Sequence, residues 1–295
     1  MSHKSIILVS VLFLVMGLLL VPCLPPAYAV LDTRTSLAVD LESGVNPNGI
    51  MLSPEIYRRW VYAVDKEMDV PSSYLQTGLR PGVSPAYGKL SAYTEWLAAI
   101  FAKFRLEYDL YRFFGTNGAL LSFPSADSRF GRQEVEALKG QEETAFGSRV
   151  LFQPTLYGKI GPVIIANQTD LAYYRFNGKG PYFLDWEYDA LVRDGDSVVA
   201  NRTQFIVEAW KKGKDQALYA GPYYEITHAT SAALTRQRVG VLAYWLPVPE
   251  FRSLDRPRIY LQAGVNVQDR NRQGELFLNF GIGFDFDFTK TQKRK

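Results

Sequence analysis

The sequence predicts an all-β fold, a transmembrane antiparallel up-and-down β-barrel of about 12 strands, within a range of about 10–14. Three observations predict it: an N-terminal export signal, no second long apolar run in 295 residues, and apolar residues at every second position through much of the chain. Neighbouring side chains on a strand face opposite sides, so this period of two gives each strand one apolar and one polar face.

The N-terminus has the three parts of a secretory signal. Lys4 supplies a positive start, residues 6–21 form an apolar run, and Ala27 and Ala29 are the small residues of a cleavage site before Val30. The apolar run is shorter than the roughly 20 residues that cross a bilayer as a helix. We therefore expect cleavage of the signal rather than a retained membrane anchor.

Cleavage would divide the chain into a signal (1–29), a barrel (30–289) and a basic tail (290–295). The one cysteine, Cys23, would leave with the signal, which excludes disulfides, a thiol nucleophile and cysteine metal ligands in the mature chain. The 33 basic and 30 acidic residues nearly balance, with no basic stripe of the kind that binds nucleic acid. We expect no nucleic-acid partner.

The clearest strand lies close to the C-terminus. From Leu276 to Phe288 every second residue is apolar, whereas the residues between them are mostly small or acidic. This stretch is longer than the roughly 9–11 residues that a tilted strand needs to cross a bilayer. Its predicted lipid-facing side chains include Leu278, Phe280, Ile282, Phe284 and Phe286, and its predicted lumen-facing charges are Asp285 and Asp287.

A second stretch, 102–110, repeats the alternation with charges along its polar face. Phe104 and Leu106 are predicted to face lipid. Consecutive inward charges of both signs would be costly in a soluble core, but in a barrel they can pair and meet water. We expect an electrostatic network in which Glu95 of the preceding strand balances its basic members. The predicted lumen-facing charges of these two strands are Lys89, Glu95, Lys103, Arg105, Glu107 and Asp109.

Ten other segments complete the set of about 12 strands. Alternation is clear in 75–84, 89–96, 149–157 (with Leu151 as an exception) and 259–268, and less regular in 35–42, 54–64, 162–176, 198–210, 216–228 and 236–247. Short turns in such barrels are periplasmic and long loops lie outside, so we expect the long connections 114–146 and 177–197 outside and both termini in the periplasm. The segment 182–191 could add a strand and disturb the count.

An export signal, alternating strands and a closing strand that ends in Phe288 resemble the outer-membrane β-barrels of Gram-negative bacteria. The resemblance covers the mature chain and indicates no narrower family. It implies an outer-membrane location, contact with outer-membrane lipid, and insertion by machinery that reads the terminal aromatic residue, here Phe288. The chain departs from the usual pattern because residues 289–295 follow this aromatic residue. The oligomeric state stays open.

His228 is the one histidine outside the signal, so a multi-histidine metal site is excluded, and we expect no metal or cofactor. The alternation of segment 216–228 predicts that His228 faces lipid at the outer rim of the barrel. The outer-membrane phospholipase and the lipid A deacylases are similar in placing an outward histidine near a serine, where the imidazole acts as base to a hydroxyl nucleophile. Here the candidate hydroxyls are Thr230 and Ser231, and the candidate orienting amide is Gln237.

The sequence favours a passive pore or a structural envelope barrel, not an enzyme, and does not indicate its solute. A barrel whose outer loops bind a partner or assist envelope assembly or secretion is an alternative, as is a lipid hydrolase centred on His228. Barrels of 8 strands are filled by side chains and barrels of 16–18 are open, so about 12 strands permit either, and we favour a narrow or blocked lumen. The loop 115–146 either folds inward as a constriction or lies outside as a binding surface.

Overall fold

The computed structural model describes residues 30–46, 48–65, 70–117, 120–213, 216–248, 250–251 and 254–289. The predicted signal and the basic tail lie outside the described residues. Within them, no helix is long and apolar enough to cross a membrane.

Twelve strands form one closed sheet. They are β1 (Asp32–Val45), β2 (Gly49–Asp65), β3 (Val70–Val83), β4 (Tyr87–Ala99), β5 (Ala102–Phe114), β7 (Thr144–Ile160), β8 (Val163–Phe176), β11 (Ser197–Lys212), β12 (Gln216–Ala229), β13 (Leu234–Leu246), β15 (Leu254–Gln268) and β16 (Leu276–Asp287). The remaining elements are β6 (Ser122–Phe123), β9 (Tyr182–Asp185), β10 (Ala190–Val192), β14 (Glu250–Phe251) and helix α1 (Arg132–Ala137).

Each barrel strand pairs antiparallel with the barrel strands before and after it in the chain, and β1 closes the ring on β16. The closing ladder runs from Ser36 opposite Asp287 to Val45 opposite Leu278. The predicted up-and-down barrel of 12 strands is therefore confirmed. Most strands extend beyond their apolar alternation; β2, for example, has 17 residues. Backbone pairing continues at the ends of a strand where the side chains no longer separate into two faces.

The connections differ in length between the two ends of the barrel. The long connections 115–143 and 177–196 share one end, which we call the loop end, and both ends of the described chain lie at the other, which we call the turn end. The segment 182–191 does form strand, as β9 and part of β10. These strands pair with each other and with β6 in a separate sheet, so the barrel count is unchanged.

The outward face of the barrel is an apolar belt. On β16 the outward Leu278, Phe280 and Ile282 are each 40–42% exposed, whereas the inward Phe277 is 3% exposed. Large apolar side chains are also exposed on the other barrel strands, among them Leu110, Leu171, Val241 and Leu261. Phe104, Leu106, Phe284 and Phe286 lie in the same outward phase and are partly exposed. An apolar surface that surrounds a closed sheet is suited to hydrocarbon rather than to water.

This belt predicts that a charge on the outward face is far more disruptive than the same charge on the inward face. Phe280→Arg should cost about 2–4 kcal/mol of folding free energy if the side chain lies near the bilayer midplane. Asn279→Arg is the matched control, because the neighbouring residue faces the interior. Folding into liposomes followed by urea titration measures both variants. Equal stability of the two would show that the assigned strand phase is wrong.

The wall formed by β7, β8, β11, β12 and β13 is apolar on its inner face near the loop end. Residues of the two long connections pack against this wall in one buried cluster. The connections contribute Leu121, Phe123, Phe130, Leu184, Tyr188, Ala190, Leu191 and Val192, and the wall contributes Leu151, Ala172, Tyr174, Val198, Ala200, Ala229 and Leu234. Leu151 departs from the alternation because it is part of this inner apolar wall, and not because its strand changes phase.

Candidate functional site

The hairpin β9–β10 carries a four-residue tip, Trp186–Asp189, into the barrel interior. Asp185, the last residue of β9, closes the turn: its Oδ1 accepts a hydrogen bond from the Tyr188 backbone N–H at 2.8 Å. The tip ends at Asp189, whose φ of 48° lies in the left-handed region that aspartate adopts more readily than most residues. This turn directs the carboxylates of Glu187 and Asp189 towards inward-facing cations of the barrel wall.

Glu187 forms the first anchor of the tip. Its carboxylate accepts hydrogen bonds from Lys89 Nζ of β4 at 3.0 Å and from an Arg149 guanidinium nitrogen of β7 at 2.8 Å. Burial opposes ionisation, but Arg149 and Lys89 outweigh it and lower the pKa of Glu187 to about 2. A lowered pKa stabilises the anchored state fully above the ordinary value of 4.5, and the stabilisation is lost as the pH falls towards 2.

Asp189 forms the second anchor and is 1% exposed. Its carboxylate lies 3.3 Å from a guanidinium nitrogen of Arg236, 3.2 Å from one of Arg238 and 3.0 Å from Nε of Arg272. Arg236 and Arg238 belong to β13, and Arg272 to the connection between β15 and β16. Glu225 of β12 adds a second acid to this group, 2.9 Å from Arg236.

The two anchors lie on opposite sides of the barrel. In the ring of strands, five strands separate β4 from β13 in either direction. Glu187 binds Lys89 on β4, whereas Asp189, two residues later, binds Arg236 and Arg238 on β13. The tip therefore spans the lumen from wall to wall, and the ion pairs that hold it are buried at Asp189 and partly buried at Glu187.

A cavity of about 940 Å³ remains beside the hairpin. Its wall comes chiefly from β1–β4, β15 and β16, and Trp186 and Glu187 of the tip close its other side. Residues of the connections 46–48, 84–86 and 115–143 also line it, so the cavity reaches the loop end. The lining includes the uncharged polar residues Ser43, Asn48, Ser53, Ser84, Asn117, Tyr260, Gln262 and Asn279. The hairpin thus packs against one side of the lumen and leaves on the other side a space lined by both polar and apolar side chains.

The six charges predicted on β4 and β5 all have ion-pair partners in the barrel interior. Glu95 lies 3.5 Å from Lys103 and 3.6 Å from Arg105, so it does occupy the position between these two cations. Glu107 binds Arg105 at 2.7 Å and Arg80 of β3 at 2.6 Å.

The network continues onto neighbouring strands. Asp109 binds Nε of Arg149 at 2.7 Å, and Arg149 also holds Glu187 of the tip. At the closing strands, Arg258 lies 2.7 Å from Asp40 and 2.8 Å from Asp285. The inner wall is therefore lined by charges of both signs that are largely paired with one another.

Two predicted positions lie at the end of the closing strand. Oδ1 of Asp287 accepts a hydrogen bond from the Thr289 backbone N–H at 2.8 Å. The strand ends at Asp287, one residue before Phe288, whose ring packs edge-on against Phe286 with 5.0 Å between the ring centroids.

The two hairpin acids and the arginines that bind them were not predicted from the sequence. Arg149, Arg236 and Arg238 are inward residues of strands whose alternation had been recognised, so their strand phase could have indicated them. Glu187 and Asp189 carry no comparable signal, because their partners are far away in sequence: Lys89 is 98 residues from Glu187, and Arg238 is 49 residues from Asp189.

The structure pairs His228 with a hydroxyl other than those expected. Nδ1 of His228 lies 2.9 Å from Oγ1 of Thr235 on β13. The backbone N–H groups of Thr230 and Ser231 bind Ser197 and Asp196.

Gln237, the expected orienting amide, accepts from the Tyr224 hydroxyl at 2.8 Å and donates to Gln268 at 2.6 Å. Among the described residues, no group of three or more His, Cys, Asp or Glu side chains is arranged to hold a metal ion.

A closed ring of 12 strands, with an apolar belt outside and paired charges inside, fits a membrane that is crossed by strands. The chain is a transmembrane β-barrel. No protein-family profile matches the sequence, and no curated protein matches it either.

Solved structures of outer-membrane barrels are similar to the chain at low identity. The β domain of the Bordetella autotransporter BrkA is 9% identical, covers 86% of this chain and 98% of its own, and has a TM-score of 0.44. An outer-membrane channel from Pseudomonas putida F1 is 13% identical over 89% of this chain and 99% of its own, with a TM-score of 0.38. The KdgM porin, solved in complex with disordered oligogalacturonate, is 7% identical over 86% of this chain and 99% of its own, with a TM-score of 0.39.

Proposed function

We propose that this barrel is a narrow channel for small polar solutes, whose lumen is restricted by the hairpin β9–β10. The observation that carries the proposal is the cavity of about 940 Å³, lined by both polar and apolar side chains, between the hairpin tip and the wall of β1–β4, β15 and β16. A barrel that served only as a rigid anchor would not need a cavity of this size, with polar side chains in its lining, beside a packed hairpin.

The lining of the cavity suits water-soluble molecules. Serine hydroxyls and asparagine and glutamine amides can replace the hydrogen bonds of water around a passing solute. The volume lies within the range of about 300–1,000 Å³ that holds drug-sized ligands, so the passing species should be small. Because the tip is tied to opposite walls by ion pairs, the restriction is a fixed part of the folded barrel.

Planar-bilayer recording of the purified protein tests the proposal. We expect discrete current steps of low conductance, together with liposome swelling in small sugars and its loss as the sugars become larger. Heat-modifiable migration in gels establishes in the same preparation that the barrel is folded. A folded barrel that carries no current and admits no sugar would refute the channel.

A hydrolysis assay on the same preparation separates the channel from a lipid hydrolase. The channel predicts no phospholipid or lipid A hydrolysis by the wild type above the level of His228→Ala. Hydrolysis that depends on His228, in a barrel without current, would replace the channel by an enzyme.

A further inference from the structure

Six charged side chains line the cavity, and one of them differs from the rest in its surroundings. The six are Asp40, Glu42, Arg80, Lys89, Glu187 and Arg202. Five form ion pairs at 2.6–3.0 Å with a side chain of opposite charge. Within the described part of the chain, Glu42 is the one member of the six that has no side chain of opposite charge within ion-pair distance, and it is exposed where it lines the cavity.

Strand pairing and a glycine define the position of Glu42. Glu42 lies on β1 opposite Gly281 of β16, and Gly281 lies opposite Tyr260 of β15. A Cβ atom at Gly281 would lie 2.0 Å from the Tyr260 ring, so only glycine permits the ring to occupy this place. Tyr260 and Glu42 lie on either side of this glycine and both line the cavity. The neighbour of Glu42 across β16 is therefore a neutral side chain, and no lysine or arginine of the described residues pairs with the Glu42 carboxylate.

We propose that the cavity selects small monovalent cations, both inorganic ions and small organic ammonium ions, and that Glu42 is the residue that sets this selectivity. The inference rests on the proposed channel and names its substrate class. The potential of a paired charge is largely cancelled by its partner within a few ångströms, whereas that of an unpaired carboxylate in a narrow space attracts cations and repels anions. A single carboxylate supplies too few oxygens for a dedicated calcium site, so passage rather than tight binding is expected.

The reversal potential under a KCl gradient across a planar bilayer tests this assignment. Wild type should favour K⁺ over Cl⁻. Glu42→Gln should lower the permeability ratio about 25-fold, because one charge about 4 Å from an ion in water favours K⁺ about fivefold and disfavours Cl⁻ about fivefold. Glu42→Lys should reverse the preference. Glu136→Gln on helix α1 is the matched control, since Glu136 is 72% exposed, pairs with Lys139 and does not line the cavity. It should leave the ratio unchanged.

The outcomes separate this inference from the channel itself. A wild type that conducts but prefers Cl⁻, or shows no preference, would overturn the cation assignment and leave the channel in place. A preference for K⁺ that is the same in Glu42→Gln would overturn the role of Glu42. An absence of current in every variant would instead refute the proposed channel. Current with methylammonium as the main cation, reduced in Glu42→Gln, would support the assignment of organic ammonium ions, and a K⁺ current without any methylammonium current would overturn that part.

Discussion

Asp189→Asn should release the hairpin tip from the β13 wall and increase the channel conductance severalfold. The substitution leaves the buried Arg236, Arg238 and Arg272 without their shared carboxylate, and the loss of one partner from a buried ion pair costs about 3–5 kcal/mol. Water that enters around the three guanidinium groups lowers this cost, and it can enter only if the tip moves. The lumen should therefore widen.

Single-channel conductance and urea unfolding in the same detergent measure the two effects of Asp189→Asn. Asp194→Asn is the matched control in the same connection, because the Asp194–Arg175 pair is 48% and 33% exposed and contributes about 0–1 kcal/mol. Unchanged conductance and stability in Asp189→Asn would show that the hairpin is not held by this anchor.

Glu107→Gln should produce the largest loss of stability among the charges of β4 and β5. The Glu107 side chain is 0% exposed and binds both Arg80 and Arg105, at 2.6 and 2.7 Å. Glu107→Gln removes the carboxylate that pairs with both of these arginines. In a dry interior, the loss of one partner from a buried ion pair lowers the free energy of unfolding by about 3–5 kcal/mol. Because Glu107 does not line the cavity, conductance should change less than stability.

Glu208→Gln is the control for this variant, since the Glu208–Lys211 pair on β11 is 38% and 49% exposed and should contribute little to stability. Thermal and urea unfolding measure both proteins. A small loss of stability together with altered ion selectivity would mean that water and ions reach Glu107, and the lumen would then be wider than the structure indicates. No effect on either property would place Glu107 outside the interior network.

The barrel could be predicted from the sequence because period two is a local property. Each strand shows its own two faces in its sequence. Phe280 therefore marks the side of its strand that faces lipid, and Asp285 the side that faces the lumen, before any partner strand is known. The same phase predicts that Lys103, Arg105, Glu107 and Asp109 share the interior. It does not specify every partner, and Arg80, which binds Glu107 from β3, was not singled out.

The hairpin could not be predicted, because its position depends on contacts between distant parts of the chain. The segment around Glu187 and Asp189 indicates short strands but not where they pack. An indirect signal lies in the barrel wall against which the hairpin packs. There Leu151, Ala172 and Val198 place apolar side chains on an inward face that would otherwise be polar. Such a face indicates that something apolar covers it from within, although it does not identify which loop.

The central claim is that ions cross the barrel through the cavity beside the hairpin. Its most direct test is the single-channel conductance of Asn279→Trp relative to Leu278→Trp. Asn279 lines the cavity, whereas Leu278, the preceding residue on β16, is 40% exposed on the outward belt. The account predicts that Asn279→Trp conducts severalfold less than wild type and that Leu278→Trp conducts equally well. Wild-type conductance in both variants would contradict it, because the current would then follow a path that does not pass Asn279.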